Sequence, residues 1–209
     1  MSRVMLCLSR FKSKHPGILF SIIGLLGFGG VAGADETPIR DAHHCAERAK
    51  EAVETMTRNI ITARRAIATP LILENVCSPL IWPGAEMDEP TFITQVLHHS
   101  GCGLLLDVTN IHANSTNHGT SPANFIEKLP LERVVQVHFS GAHESKGRLI
   151  DSRTQAVPES IWQLLDHAVS RAPVRCICLE RDDNLPPLPE ILWEVERARA
   201  IGRHHKRWN

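Results

Sequence analysis

Short apolar segments that alternate with helical segments fill most of the chain after Pro70. Four of the apolar segments predict strands, at residues 71–74, 103–108, 134–138 and 176–180. Strands that are apolar throughout and alternate with helices are typical of a parallel sheet covered by helices. The alternation therefore predicts an α/β fold, either an open doubly wound sheet or a (β/α) barrel.

The segments between the predicted strands carry apolar residues three or four positions apart, which is the helical period. One helix is expected before the first strand, and Pro70 ends it. Ser121 and Pro122 suit the N-cap and the first position of a later helix. No GxGxxG or Walker-type phosphate loop follows a predicted strand, which disfavours nucleotide binding. The expected helices span residues 39–66, 90–99, 121–129, 158–171 and 187–201.

A polar side chain capable of binding metal stands at the carboxyl end of each predicted strand. These residues are Glu74, Asp107, His138 and Glu180. Any one of them is explained equally well as an N-cap or a surface group, but four in succession are not. In a barrel the carboxyl ends of the strands converge on the face that holds the active site. Oxygen and imidazole ligands without thiolates suit iron, manganese, zinc or magnesium, so the set predicts a metal site.

Residues 1–38 differ from the rest of the chain in composition. Basic residues precede an uncharged apolar run at residues 16–34, and Asp35 and Glu36 follow it. This order predicts a secretory signal with cleavage after Ala34. The run is also near the minimum length of a membrane anchor. A third interpretation is a non-native start without a selected function.

The chain carries 23 basic and 23 acidic side chains, so its formal net charge is zero. A neutral chain has no general attraction to nucleic acid, and no nucleic-acid partner is expected. Only the last residues are locally basic, and they are interpreted as a solvated tail. The expected organisation is an apolar N-terminal segment at residues 1–38, a partial (β/α) barrel with about four βα units at 39–202 and a basic tail at 203–209.

Short sequence phrases stand at or near the strand ends. They are Glu74-Asn75, the segment 101–108, Asn117-His118-Gly119, Val137-His138 with Gly141, Ile150-Asp151, and Leu179-Glu180 with the segment 183–186. In this order they resemble the DUF692 family, also called UPF0276 or the multinuclear non-haem iron-dependent oxidative enzymes (MNIO). The resemblance covers about residues 40–200. Its order and extent make it specific, whereas each phrase alone is weak.

The resemblance implies a TIM barrel similar to xylose isomerase. Characterised family members bind two or three iron ions and use dioxygen to oxidise cysteine residues of ribosomally synthesised peptides. The implied partners are the peptide substrate and a protein or domain that presents it. The resemblance also implies that Glu74 bridges irons and that Asp107, His138, Asp151 and Glu180 are further ligands. Additional candidate site residues are Asn75, Asn110, His143 and Arg153.

Three local departures from the family pattern affect the implied site. The family usually has Asp-x-His where this chain has Asp151-Ser152-Arg153, and an arginine has no lone pair for a metal. The first asparagine of the family's Asp-Val-Asn-Asn is Thr109 here, so Asn110 could replace it only if the strand end shifts. A histidine often follows the family's glycine directly, whereas Ala142 comes before His143.

Four predicted strands are half of the eight that close a barrel. An open half would expose edge strands and an apolar inner face. It would need a missing half or a second copy, so a homodimer that covers the open edge is expected as one solution. The chain is therefore interpreted as an N-terminally incomplete or divergent family member. The family implies a cytoplasmic location, and the alternative is export or anchoring through residues 16–34.

Three functions remain as alternatives at this point. The first is an iron-dependent oxidase that modifies peptide cysteines, intact or impaired. The second is a degenerate, non-catalytic family member or a gene fragment, which Thr109 and Arg153 favour. The third is another metal-dependent barrel enzyme, an isomerase or a hydrolase. The identity of the bound metal and the uptake of oxygen would separate them.

Overall fold

The computed structural model describes residues 4–9, 21–22, 42–78 and 87–209, and the side chains of residues 49–78 and 87–209. Its strands are β1 (Val4–Ser9), β2 (Ser21–Ile22), β3 (Ile72–Glu74), β4 (Gly103–Asp107), β5 (Val134–Phe139), β6 (Ala142–Ser145), β7 (Arg148–Asp151) and β8 (Cys176–Arg181). Its helices are α1 (Ala42–Ala66), α2 (Glu89–Ser100), α3 (Val108–His118), α4 (Pro122–Glu127), α5 (Glu159–Arg171) and α6 (Leu188–His204).

The central sheet has the strand order β1-β8-β5-β4-β3-β2. Strands β3, β4, β5 and β8 are the four predicted from the sequence, and they run parallel to one another. This arrangement of βα units confirms the predicted α/β fold. It is compatible with a partial TIM-type barrel, and no barrel closure is detected among the described residues.

The sheet is wider than the four predicted strands. β1 pairs with β8 in antiparallel orientation, and β2 pairs with β3 in parallel orientation. An edge strand exposes a row of unpaired N–H and C=O groups, which these segments of the same chain satisfy. The rest of the apolar run at residues 16–34 lies outside the described residues, as does Ala34. Among the described helices, none has the length and hydropathy that membrane crossing requires.

Two elements between the predicted strands were not expected. Helix α3 follows β4 without a loop, because the Asp107 side chain accepts a hydrogen bond from Asn110 N and so caps the helix. Its sequence, VTNIHANSTNH, is polar and lacks a regular apolar period, so no helix was predicted there. The second element is the antiparallel hairpin of β6 and β7, which lies outside the central sheet. The Ser121 N-cap and Pro122 at the start of α4 are confirmed.

The two faces of the sheet have different roles because successive side chains of a strand point to opposite faces. One face packs into the main apolar core against the helices, and Phe139 lies 5.2 Å from the Trp162 ring of α5. The residues of that face are Leu104, Leu106, Val137, Phe139, Ile177 and Leu179. The alternate positions carry the polar strand-end residues, so these residues share the opposite face.

Part of the basic segment 203–209 packs against the domain, while Arg203, His204 and Lys206 are exposed. Arg207 Nε donates a hydrogen bond to Val169 O at 2.9 Å, and His205 Nε2 lies 2.9 Å from Asp166 Oδ1. Trp208 covers Gly202 so closely that an added Cβ would lie 1.8 Å from its ring. The exposure expected from the basic composition is thus seen at these three residues, whereas His205 and Arg207 have hydrogen-bond partners on α5.

Replacing Gly202 by alanine is expected to lower the free energy of unfolding by about 1–3 kcal/mol, which is typical of overpacking a well-filled site. The new methyl group would displace the Trp208 ring from the end of α6. Urea denaturation followed by tryptophan fluorescence measures the change. Gly147→Ala is not a suitable control, because Gly147 has φ of 73°. The double variant Gly202→Ala with Trp208→Ala is the better control. Its loss in free energy of unfolding should be smaller than the sum of the losses of the two single variants, because the ring that the new methyl group would displace is then absent.

Candidate metal centre

Four neighbouring parallel strands bring the predicted ligand side chains to one edge of the sheet. Glu74 ends β3 and Asp107 ends β4, while His138 and Glu180 are the penultimate residues of β5 and β8. Asp107 pairs with His138 across β4 and β5, and His138 pairs with Cys178, two residues before Glu180. Residues that are paired across neighbouring strands, or that lie two positions apart on one strand, point to the same face, so all four side chains share one face.

Glu74, Asp107 and His138 form a compact cluster. Each offers one ligand atom, and these atoms all lie within 4.8 Å of one another. His138 Nδ1 lies 3.4 Å from Glu74 Oε1 and 3.4 Å from Glu180 Oε1. Its other ring nitrogen, Nε2, lies 2.6 Å from Nε2 of the Gln136 side-chain amide. If that amide turns so that its oxygen accepts from Nε2–H, Nδ1 keeps the lone pair that a metal needs. A partner at one ring nitrogen fixes the orientation in which the other faces a metal.

Asp107 is fully buried, and its two carboxylate oxygens have different surroundings. Oδ1 accepts a hydrogen bond from Asn110 N at 2.8 Å, whereas Oδ2 has no hydrogen-bond partner among the described residues. Burial raises the pKa of this carboxyl well above its usual range, and Asp151 adds to the shift. A buried oxygen without a partner is costly unless a proton or a cation reaches it.

Asn75 and Thr109 extend the pairing of the strands beyond their ends. The Asn75 side chain donates to Asp107 O at 2.9 Å and accepts from Asp107 N at 2.8 Å. Thr109 Oγ1 accepts from Ser140 N at 2.8 Å and thereby links the end of β4 to β5. Asn110 Nδ2 donates to Asn75 O at 3.0 Å. These hydrogen bonds connect the ends of neighbouring strands. Thr109, which stands at a ligand position of the family pattern, thus contacts the Ser140 backbone here.

Asp151 and Arg153 come to the site from the hairpin rather than from the central sheet. Ser140 Oγ donates to Asp151 Oδ1 at 2.5 Å, which ties the hairpin to the end of β5. Arg153 lies 2.8 Å from Glu180 Oε2, 3.4 Å from Asp151 Oδ2 and 3.5 Å from Asp182 Oδ2. Burial opposes the charge of Arg153, but these carboxylates together raise its pKa. Burial also raises the pKa of Glu180, although His138 and Arg153 act against that shift.

His143 lies apart from the compact cluster. It stands on β6 and, together with Asp151, Arg153 and Asp182, lines an open surface pocket of about 380 Å³. A larger surface pocket of about 750 Å³ lies between α1 and α2, away from the strand ends. The site side chains therefore fall into two places: the buried cluster at the strand ends and the more open surface beside the hairpin.

Three residues at the site were not singled out from the sequence: Gln136, Ser140 and Asp182. Gln136 and Ser140 lie two positions before and after His138, which is the spacing that puts strand residues on one face. The two-residue spacing from His138 could therefore have identified both residues from the sequence. Asp182 follows the end of β8 and reaches Arg153 only through the tertiary fold.

The donor set of the compact cluster fits a divalent metal ion. Asp107 Oδ2 and His138 Nδ1 are buried atoms without hydrogen-bond partners among the described residues, and the Glu74 carboxylate lies beside them. Two carboxylates and an imidazole suit iron, manganese or zinc better than a soft thiophilic metal. The surroundings of Asp151 are different, because a guanidinium already lies there.

Comparison with known proteins supports the resemblance seen at the strand ends. The chain is 36% identical over 151 residues to a UPF0276 protein of Caulobacter vibrioides, which covers 72% of this chain and 54% of the relative. It is 37% identical over 149 residues to a UPF0276 protein of Shewanella sediminis, covering 71% of this chain and 53% of the relative. A UPF0276 protein of Streptomyces avermitilis is 33% identical over 165 residues, covering 78% of this chain and 34% of the relative.

The chain thus spans about half the length of the Caulobacter and Shewanella relatives. The model of the family described as "RiPP precursor modification enzyme MbnB/TglH/ChrH" matches residues 43–203, which include every predicted ligand. The chain belongs to this family of RiPP precursor modification enzymes, the DUF692/UPF0276 family.

Proposed function

We propose that residues 39–202 form a metal-dependent domain that takes part in modifying a ribosomally synthesised precursor peptide, with iron as the metal. The observation that carries this proposal is the buried cluster of Glu74, Asp107 and His138, whose ligand atoms lie within 4.8 Å of one another. The family match to RiPP precursor modification enzymes supplies the substrate class. It favours peptide modification over the isomerase and hydrolase alternatives.

Each residue near the cluster has a distinct part in this proposal. Glu74, Asp107 and His138 hold the metal, and iron would supply the redox chemistry by which dioxygen oxidises a peptide cysteine. Gln136 orients the His138 ring through Nε2. Asn75 fixes the backbone of Asp107 through two hydrogen bonds.

The open pocket beside the hairpin is the proposed approach for the peptide. It is lined by the Arg153 guanidinium, by the carboxylates of Asp182 and Asp183, and by His143. It adjoins the cluster through Glu180, which contacts both His138 and Arg153. A protein that presents the peptide is part of the proposal on the family resemblance. A second copy that covers a sheet edge also stays a prediction.

The test of metal binding is anaerobic reconstitution of the full chain with Fe²⁺, followed by desalting and elemental analysis. The unmodified chain is expected to retain iron, and Glu74→Gln combined with His138→Ala is expected to lose it, because two of three ligands are gone. Glu132→Gln changes an exposed carboxylate outside the site and should retain iron. No iron above background in the unmodified chain, or full iron in the double variant, would contradict the proposal.

A second candidate function is metal binding without catalysis. The contact of Arg153 with both Asp151 and Glu180 favours it, because a guanidinium occupies the surroundings of two predicted ligands. The two candidates differ in oxygen use. An active enzyme consumes dioxygen and changes the mass of a cysteine-containing precursor peptide, whereas a binding module retains iron and does neither.

A further inference from the structure

We propose that the Arg153 guanidinium takes the place of a second cation beside the compact cluster, so that this chain binds a single divalent metal ion. The proposal rests on the proposed function, since it concerns the number of metal ions at the same site. It assigns Arg153 as a positioning residue that neutralises and holds Asp151 and Glu180.

The carboxylates on this face divide into two groups. Glu74 and Asp107 belong with His138, because their ligand atoms lie within 4.8 Å of one another. Asp151, Glu180 and Asp182 surround Arg153 instead, at 3.4, 2.8 and 3.5 Å. The first group is a metal-type donor set, whereas the second surrounds the Arg153 guanidinium.

Arg153 uses each of its three nitrogen atoms on a different carboxylate. Nε faces Asp151, one terminal nitrogen faces Glu180 and the other faces Asp182. The guanidinium is planar and carries its donors in a fixed fork, and it has no lone pair to share with a metal. The side chain is only 19% exposed, so protein rather than water surrounds most of it.

A second metal ion and this guanidinium exclude one another. An ion held by Asp151 and Glu180 would need their oxygens at about 2.0–2.2 Å, in the space where the Arg153 nitrogens lie. Its charge would also be repelled by the guanidinium at short range, where burial reduces the screening by water. We therefore expect Asp151 and Glu180 to pair with Arg153 and not to hold a second metal ion.

Glu180 connects the two groups. Oε1 lies 3.4 Å from His138 Nδ1, while Oε2 lies 2.8 Å from Arg153. Arg153 thus holds one oxygen and leaves the other facing the metal cluster. Through this contact, Arg153 positions a carboxylate beside a single metal ion.

The test counts metal ions per chain in the unmodified protein and in variants at Arg153. Each full-length chain is loaded with Mn²⁺ alone or, anaerobically, with Fe²⁺, then desalted and measured by elemental analysis. Electron paramagnetic resonance of the Mn²⁺ samples distinguishes an isolated ion from two coupled ions. Far-ultraviolet circular dichroism confirms that each variant is folded. Arg171→Gln removes an exposed arginine that pairs with Glu127 and serves as the control.

The unmodified chain, Arg171→Gln and Arg153→Lys are expected to bind one ion per chain with an uncoupled Mn²⁺ signal. Arg153→His removes the fixed charge and adds an imidazole, so it is expected to bind two ions with a coupled signal. Two ions in the unmodified chain, or one ion in a folded Arg153→His variant, would overturn the inference and leave the proposed function standing. No ion in any chain would instead contradict the proposed function.

Discussion

Replacing Asn75 by alanine is expected to lower the free energy of unfolding by about 2–6 kcal/mol and to weaken metal binding about 10–100-fold. The Asn75 side chain is buried and satisfies both backbone groups of Asp107, donating to its O at 2.9 Å and accepting from its N at 2.8 Å. Alanine leaves two buried polar groups without partners, and each costs about 1–3 kcal/mol. It also removes the two hydrogen bonds that hold the backbone of Asp107, whose side chain is a proposed metal ligand.

The chain offers a matched control for this variant in Asn117. Its side chain makes the same pair of hydrogen bonds with Leu149, donating to O at 2.7 Å and accepting from N at 2.8 Å. Asn117→Ala should therefore lower stability, but it should leave the affinity for Mn²⁺ unchanged because Asn117 holds β7 rather than Asp107. Denaturant titration and Mn²⁺ binding measure the two quantities. Equal Mn²⁺ affinities of the two variants would exclude a positioning role for Asn75.

Replacing Glu194 by alanine is expected to destabilise the fold by about 3–5 kcal/mol, the range for breaking a buried ion pair. Arg181 at the end of β8 lies 2.7 and 2.9 Å from the two Glu194 oxygens, and both residues are buried. Glu194 Oε1 also accepts a hydrogen bond from Val157 N at 2.9 Å. Alanine would leave a buried positive charge and a buried N–H group without partners.

An exposed ion pair of α5 and α6 gives the comparison for this second variant. Glu159 pairs with Arg197 at 2.8 Å, but its side chain is 63% exposed. Glu159→Ala should change the free energy of unfolding by no more than about 1 kcal/mol, because water screens such a pair. Urea denaturation of both variants provides the measurement. A loss in Glu194→Ala no greater than that in Glu159→Ala would show that the buried pair does not anchor α6 to β8.

Tertiary contacts give several candidate site residues a role different from the one expected from the sequence. Thr109 was a departure from a ligand pattern, yet its hydroxyl is bonded to the Ser140 backbone. Arg153 stands where the family usually has a histidine, and its guanidinium contacts three carboxylates. Asp151 was expected among the ligands at the strand ends, and it comes from a hairpin that a bond from Ser140 ties to β5. Apart from the contact of Arg153 with Asp151, which lies close to it in the sequence, these contacts join separate segments of the chain.

The sequence by itself determined the order of the βα units and the face on which Glu74, Asp107, His138 and Glu180 lie. It could do so because strand and helix periods, and the alternation of side chains along a strand, are local properties of the chain. Only the tertiary structure decided the pairing of β1 and β2 with the neighbouring strands and the division of the carboxylates between the cluster and Arg153. These depend on hydrogen bonds and charges between distant segments, which no local period encodes.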